Sequence, residues 1–190
     1  MQNIGEEIAG EYLRVKKGCD FIQYNIHTEE TQGEIDVIGI NLNTKPHTVY
    51  ICEVATHTNN LQYVKNRRPD TENRLRTKFK KDIAYANKHF EGYDKVFMFW
   101  SPIIRTSGPD AKYCAQRAVD KFKSELEKIA QIEIISNQKY LDCIKELKEY
   151  AANKSSDLSN SAVLRFLQIE AFLENHVAKL EKQKNRENKK

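Results

Sequence analysis

Proline and glycine are scarce in this chain, at Pro 4 and Gly 7 among 190 residues. That scarcity excludes a collagen-like or low-complexity chain, and 39% hydrophobic residues exclude a wholly disordered one. Long apolar runs are also missing, and Val96 to Trp100 is far too short to span a bilayer. The N-terminus, MQNIGEEIAGEYL, has two early glutamates and no basic-then-apolar order, so no secretory signal is expected. The four cysteines, at 19, 52, 114 and 143, show neither a CxxC pair nor metal-ligand spacing. They read as buried free thiols of a reducing compartment. By elimination a cytoplasmic protein without membrane contact is expected.

What is present is unevenly distributed charge. The net charge is +4, and the last twelve residues, KLEKQKNRENKK, with six Lys/Arg against two Glu, account for all of it. Within the neutral remainder, Lys65 to Lys81 gathers Lys65, Arg67, Arg68, Arg74, Arg76, Lys78, Lys80 and Lys81 against Asp70 and Glu72. Such a run is either a polyanion footprint or a solvated helix face.

Ile4, Ile8, Ala9, Tyr12, Leu13 and Val15 recur at helical spacing and stop near Gly18, a residue suited to a left-handed cap. Strands are expected over Cys19–Ile26, Gly33–Ile40 and Thr48–Thr56, the third apolar on both faces at its start and so central. There follow a helix over Thr71–Phe90, a buried strand over Lys95–Trp100 and a helix over Asp110–Ala130. A strand over Ile132–Ile135 and a helix over Gln138–Ala152 complete the series. Strands separated by helices imply parallel crossovers beside an antiparallel meander. The expected fold is α/β, a mixed sheet flanked by helices in the order α-β-β-β-α-β-α-β-α, over residues 1–153. Asn153–Asn160 (NKSSDLSN) is the one linker-like stretch. Residues 154–190 read as an amphipathic helix, Ser161–Leu180, with a basic, disordered tail.

Two carboxylates stand where a buried strand is expected: Asp36 interrupts IDVIGI and Glu53 interrupts VYICEVA. A carboxylate beside an apolar sheet centre is expensive unless it is paired or holds a cation. If the second and third strands form a hairpin across Asn41–His47, Asp36 and Glu53 lie side by side. Their mutual repulsion makes a hard divalent cation the natural partner.

The ordered set Gly5-Glu6-x-x-Ala9-x-x-Tyr12-Leu13, Gly18, Asn25, Gly33-Glu34-Ile35-Asp36-Val37-Ile38 and Ile51-Cys52-Glu53-Val54-Ala55 resembles the PD-(D/E)XK nuclease superfamily. The likeness is to its Holliday-junction-resolvase-like members and covers about residues 4–100. It implies a restriction-endonuclease-like core and Mg²⁺-dependent hydrolysis of DNA phosphodiesters, with Mn²⁺ as a substitute. Glu6 matches the family's helix glutamate, Asp36 its aspartate and Glu53 the start of Glu-x-Lys. The resemblance makes Asp36 and Glu53 the metal ligands, with the backbone carbonyl of Val54 a further one. Glu6 completes the shell in preference to Glu7, because it shares a face with Ala9 and Leu13.

The chain departs from the family at two positions. Ile35 replaces the proline before the aspartate, and Ala55 replaces the motif lysine. An alanine neither orients a nucleophile nor places positive charge near a transition state. The helix after the third strand is the obvious source of a substitute. At 100° per residue Lys78 and Lys80 flank its apolar centre while Lys81 points outward, and Lys78 is preferred as the catalytic cation. His57 shares the face of Glu53 and is a candidate for positioning water.

Lys65, Arg67, Arg68, Arg74 and Lys80 are the candidate phosphate contacts, which give affinity without reading bases. The family likeness points to double-stranded or branched DNA. Cutting both strands takes two sites, which points to a homodimer with the C-terminal helix as the candidate contact. The rival expectation, raised by Ala55, is a catalytically inactive nuclease-fold protein that binds nucleic acid or serves in a larger complex.

Overall fold

The computed structural model describes residues 3–28, 33–108 and 110–187. Helix α1 (Ile4–Val15) begins at Asn3, whose side chain accepts from the N–H groups of Gly5 and Glu6 while Glu6 accepts from the Asn3 N–H. Gly18, at φ +65°, turns the chain out of the helix without a Cβ penalty. Strands β1 (Phe21–His27), β2 (Glu34–Asn41) and β3 (Thr48–Val54) then form an antiparallel meander. A small hairpin, β4 (Val64–Lys65) and β5 (Arg68–Pro69), precedes α2 (Thr71–His89). The chain continues as β6 (Asp94–Ser101), α3 (Ala115–Leu126), β7 (Gln131–Ser136), α4 (Asn137–Ala152) and α5 (Ala162–Glu187).

The main sheet has the order β1-β2-β3-β6-β7, with β3–β6 and β6–β7 parallel. It is the mixed, helix-flanked sheet that the sequence predicts. β3 is its middle strand, and Val49, Ile51 and Cys52 are each no more than 1% exposed.

Three elements differ from expectation, the last of them α5, described below. The stretch 64–69 is a hairpin rather than an open loop, turning at Asn66 and Arg67 with φ +50° and +62°. Helix α3 is shorter at both ends than the expected 110–130. On its N-terminal side Tyr113 Oη donates to the Leu61 carbonyl at 2.6 Å and lies 2.8 Å from Thr71 Oγ1, while Cys114 is extended. Docking onto that loop takes the place of another helical turn.

The chain divides into two compact units, Met1–Asp142 and Cys143–Lys190. In the first, Leu75, Phe79 and Ile83 of α2 join Val119 and Phe122 of α3 over Ile51 and Phe99 of the sheet. Phe79 meets Phe122 at 5.3 Å and Phe99 at 6.3 Å between ring centres. Each side chain so buried contributes roughly 1.5–3 kcal/mol. Helix α1 lies against β1–β3 with Ala9 and Leu13 fully buried, and Tyr12 meets Trp100 edge-on at 5.4 Å. A Cβ at Gly5 would come 2.5 Å from Thr56 Oγ1 and 3.0 Å from Val54 Cγ1, so glycine lets α1 press on the end of β3.

In the second unit the linker-like stretch is tied down. Gln168 Nε2 donates to the carbonyls of Lys154 (3.0 Å) and Ser156 (2.9 Å), and Arg165 pairs with Asp157 at 2.6 Å. Lys148 of α4 joins Glu170 and Glu174 of α5 at 3.5 and 2.8 Å. α5 runs past Leu180 to Glu187, and residues 188–190 of the basic tail lie outside the described residues. Cys19, Cys52, Cys114 and Cys143 are buried and form no disulfide. Among the described residues no helix is long and apolar enough to cross a membrane.

Candidate active site

The β2–β3 register pairs Val37 with Cys52 and Ile38 with Ile51. Continuing it by one residue sets Asp36 opposite Glu53, on one face of the sheet. Beyond the last ladder pair, Asp36 Oδ2 accepts from the Val54 N–H at 2.6 Å, so its carboxylate satisfies a strand-end donor. Glu53 sits at the apolar centre and is 2% exposed.

Helix α2 crosses that face. Lys78 Nζ donates to Glu53 Oε2 and lies 3.8 Å from Asp36 Oδ2. A lysine from the helix, rather than one from the strand, therefore stands beside the two carboxylates. Ala55 cannot serve this purpose: it is 4% exposed and belongs to the buried cluster with Leu61, Leu75 and Phe79.

One helical turn after Lys78, Asp82 adds a third carboxylate, 4% exposed. It was not expected from the sequence, where it follows Lys80-Lys81 and looks like part of a solvated charged stretch. Glu53 Oε1 and Asp82 Oδ2 are both buried without a hydrogen-bond donor. Burial, followed by the Asp82 charge, holds Glu53 well above the usual carboxylate range. Burial likewise pushes Asp82 up to about 7, against the opposing effects of Glu53 hydrogen bonding and Lys78. Burial also works against the Lys78 ammonium, but Glu53 and Asp36 outweigh it and hold its pKa above the ordinary lysine value.

These groups line a cleft of about 980 Å³ that also takes in Lys65, Arg74, Lys81 and Tyr63. Arg74 lies over the Tyr63 ring, 4.8 Å from its centre. Lys81 thus lines the cleft instead of pointing outward, and its Nζ would be 3.9 Å from a Cβ at Gly33.

The remaining candidates are placed elsewhere. Glu6 is buried in the cap of α1, bonded to Asn3 and accepting from Asn25 Nδ2 at 3.3 Å, and it is not part of the cleft wall. His57 packs edge-on behind Tyr63 at 5.5 Å. Lys80 turns to α3 and pairs with Glu125 at 2.9 Å. Arg67 and Arg68 are exposed on the hairpin outside the cleft wall.

Among the described residues no group of three or more His, Cys, Asp or Glu side chains is arranged as a metal cluster. Mg²⁺, however, binds through one or two carboxylates and retains waters, rather than requiring an all-protein cage. The oxygen donors of Asp36 and Glu53, with Glu53 Oε1 lacking a donor, fit that demand. Val54 contributes its N–H to Asp36, which holds the adjoining backbone against the carboxylates. Comparison with family models, curated proteins and solved structures gives no match to any of them.

Proposed function

We propose that this chain is a Mg²⁺-dependent DNA endonuclease of PD-(D/E)XK type, cytoplasmic and acting on double-stranded or branched DNA. The observation that carries this reading is the convergence of Asp36 and Glu53 on Lys78 in a cleft bordered by Lys65 and Arg74. Bound Mg²⁺ (or Mn²⁺) would be held by Asp36 and Glu53, and would supply an activated water and offset charge on the leaving oxygen. Lys78 holds a fixed positive charge beside those carboxylates, where a phosphate would be cut. Lys65 and Arg74 grip the neighbouring backbone and set the register without selecting bases. Burial raises the proton affinity of both Glu53 and Asp82 when no cation offsets their charge.

A second reading, a nucleic-acid-binding protein without catalysis, draws on Ala55 in the core and Glu6 in the helix cap. One experiment separates the two. Linear, supercoiled and branched DNA are incubated with the full chain and Mg²⁺ or Mn²⁺, with a chelator control. Cleavage that the chelator and Asp36→Ala both abolish is the expected result. Salt-sensitive binding with no cleavage of any substrate overturns the nuclease reading and supports the second one.

A further inference from the structure

Helix α5 carries two apolar faces. Val163, Leu164, Leu167 and Ala171 form a buried face. Phe166, Ile169, Leu173, Val177 and Leu180 form an exposed one, from 66% exposed at Phe166 to 42% at Leu180. At 100° per residue the exposed set falls within about 80° of the helix surface. From Phe172 to Arg186 the helix is exposed on every side. A helix of that length is marginal in water by itself, because packing of an apolar face supplies most helical stability.

The spacing identifies the occupant. The steps from Phe166 to Ile169, Leu173, Val177 and Leu180 are three, four, four and three residues, the same read in either direction about Leu173. Such a stripe matches an antiparallel copy of itself: Leu173 meets Leu173, Ile169 meets Val177 and Phe166 meets Leu180. That is the self-complementarity a two-fold interface needs. Charge selects the same direction. Lys179, Lys182, Lys184 and Arg186 outnumber Glu181 and Glu187 at the far end of α5, and an antiparallel pair keeps these two net-basic ends apart and opposes the helix dipoles. With Phe172 on the flank, six side chains 42–66% exposed offer at most roughly 650 Å² per chain. Two copies therefore offer up to about 1,300 Å², enough to reach the lower end of stable interfaces.

We propose that α5 is a homodimerisation helix, pairing antiparallel with a second copy of this chain about an axis at Leu173. The inference does not rest on the proposed chemistry, and its test reads no cleavage. Light scattering of the full chain is expected to give twice the 22.2 kDa chain mass. The double variant Leu173→Glu, Val177→Glu should fall to one chain mass while circular dichroism retains the sheet signal. Chains carrying Phe166→Cys and Leu180→Cys are then mixed and mildly oxidised, the native thiols being buried. The two variants are expected to cross-link to each other and neither to itself. A single-chain mass for the unaltered protein at its highest soluble concentration overturns the proposal. So does self-linking of Leu180→Cys without mixed product, or a mass unchanged by the double glutamate variant.

Discussion

Lys78 Nζ stands 3.8 Å from Asp36 Oδ2 while donating to Glu53, so a single ammonium from a helix joins carboxylates from two adjacent strands. The same ion pair is both a structural tie and a candidate chemical centre. Measurements that separate rate, affinity and stability distinguish the two roles.

Asp36→Ala and Glu53→Ala should each remove Mg²⁺-dependent cleavage while leaving DNA affinity largely intact, since neither carboxylate attracts a polyanion. Paired cleavage and filter-binding assays check this. Robust cleavage by either variant removes the assignment.

Lys78→Met, which keeps the stem but not the charge, should lower the cleavage rate by roughly 10²–10³-fold, as for loss of one preorganised stabilising group. Binding should change far less. The variant also strands the buried Glu53 carboxylate. Because Lys78 is itself 31% exposed, the stability loss should be roughly 1–3 kcal/mol, below that of a fully buried pair. A normal rate with weak binding would make Lys78 a phosphate contact only.

Ala55→Lys should destabilise the fold by more than about 2 kcal/mol, because an ammonium would enter a core site 4% exposed. It should not raise activity, since Lys78 already occupies the position beside Glu53. Urea titration and a cleavage assay on the same preparation test both halves.

The buried acid pair sets a pH slope. Asp82 is raised to about 7 and Glu53 is raised as well, so between pH 4 and 7 the folded state binds more protons than the unfolded chain. Unfolding free energy should therefore fall as pH rises through that window, by at most about 1.4 kcal/mol per pH unit for each group. Asp82→Asn should flatten the profile. Denaturant midpoints from pH 4 to 8, without divalent cations, give the slope, and an unchanged slope would show that Asp82 is not its source.

Arg67 occupies the left-handed region at φ +62°, where a non-glycine residue carries strain of about 1 kcal/mol or more. Arg67→Gly should leave the hairpin as stable or more so, with DNA affinity and its salt slope nearly unchanged, because Arg67 lies outside the cleft wall that Lys65 and Arg74 line. Binding at several salt concentrations reads this directly.

The parts of this arrangement that could be read from the sequence are those where one residue breaks a strong local pattern. Asp36 and Glu53 stand out because each interrupts an apolar strand, and the short Asn41–His47 connection sets their register. Lys78 emerges from helical angles because the apolar stripe Leu75, Phe79, Ile83 is regular. Asp82 does not emerge: in a helix rich in charge, one buried carboxylate looks like its solvated neighbours until the sheet beneath is known. Glu6 shows the opposite failure. Its inward face is correctly read and it is 5% exposed, but the cap at Asn3 and the side chain of Asn25 take its carboxylate. The β4–β5 hairpin escapes notice because Asn-Arg is not a typical tight-turn pair and two-residue strands have no period to detect.

A cation supplied by a helix also decides what controls the spacing of the charges. On one strand, hydrogen-bonded ladders would clamp the interval between acid and base. Here that interval follows how α2 is seated on the sheet, through Phe79 against Phe122 and Phe99. The same helix carries Arg74, so under the proposed function a polyanion held by that arginine would act on the mount of Lys78 as well. Grip and ignition would then share one lever, and a small slide of α2 would retune both together.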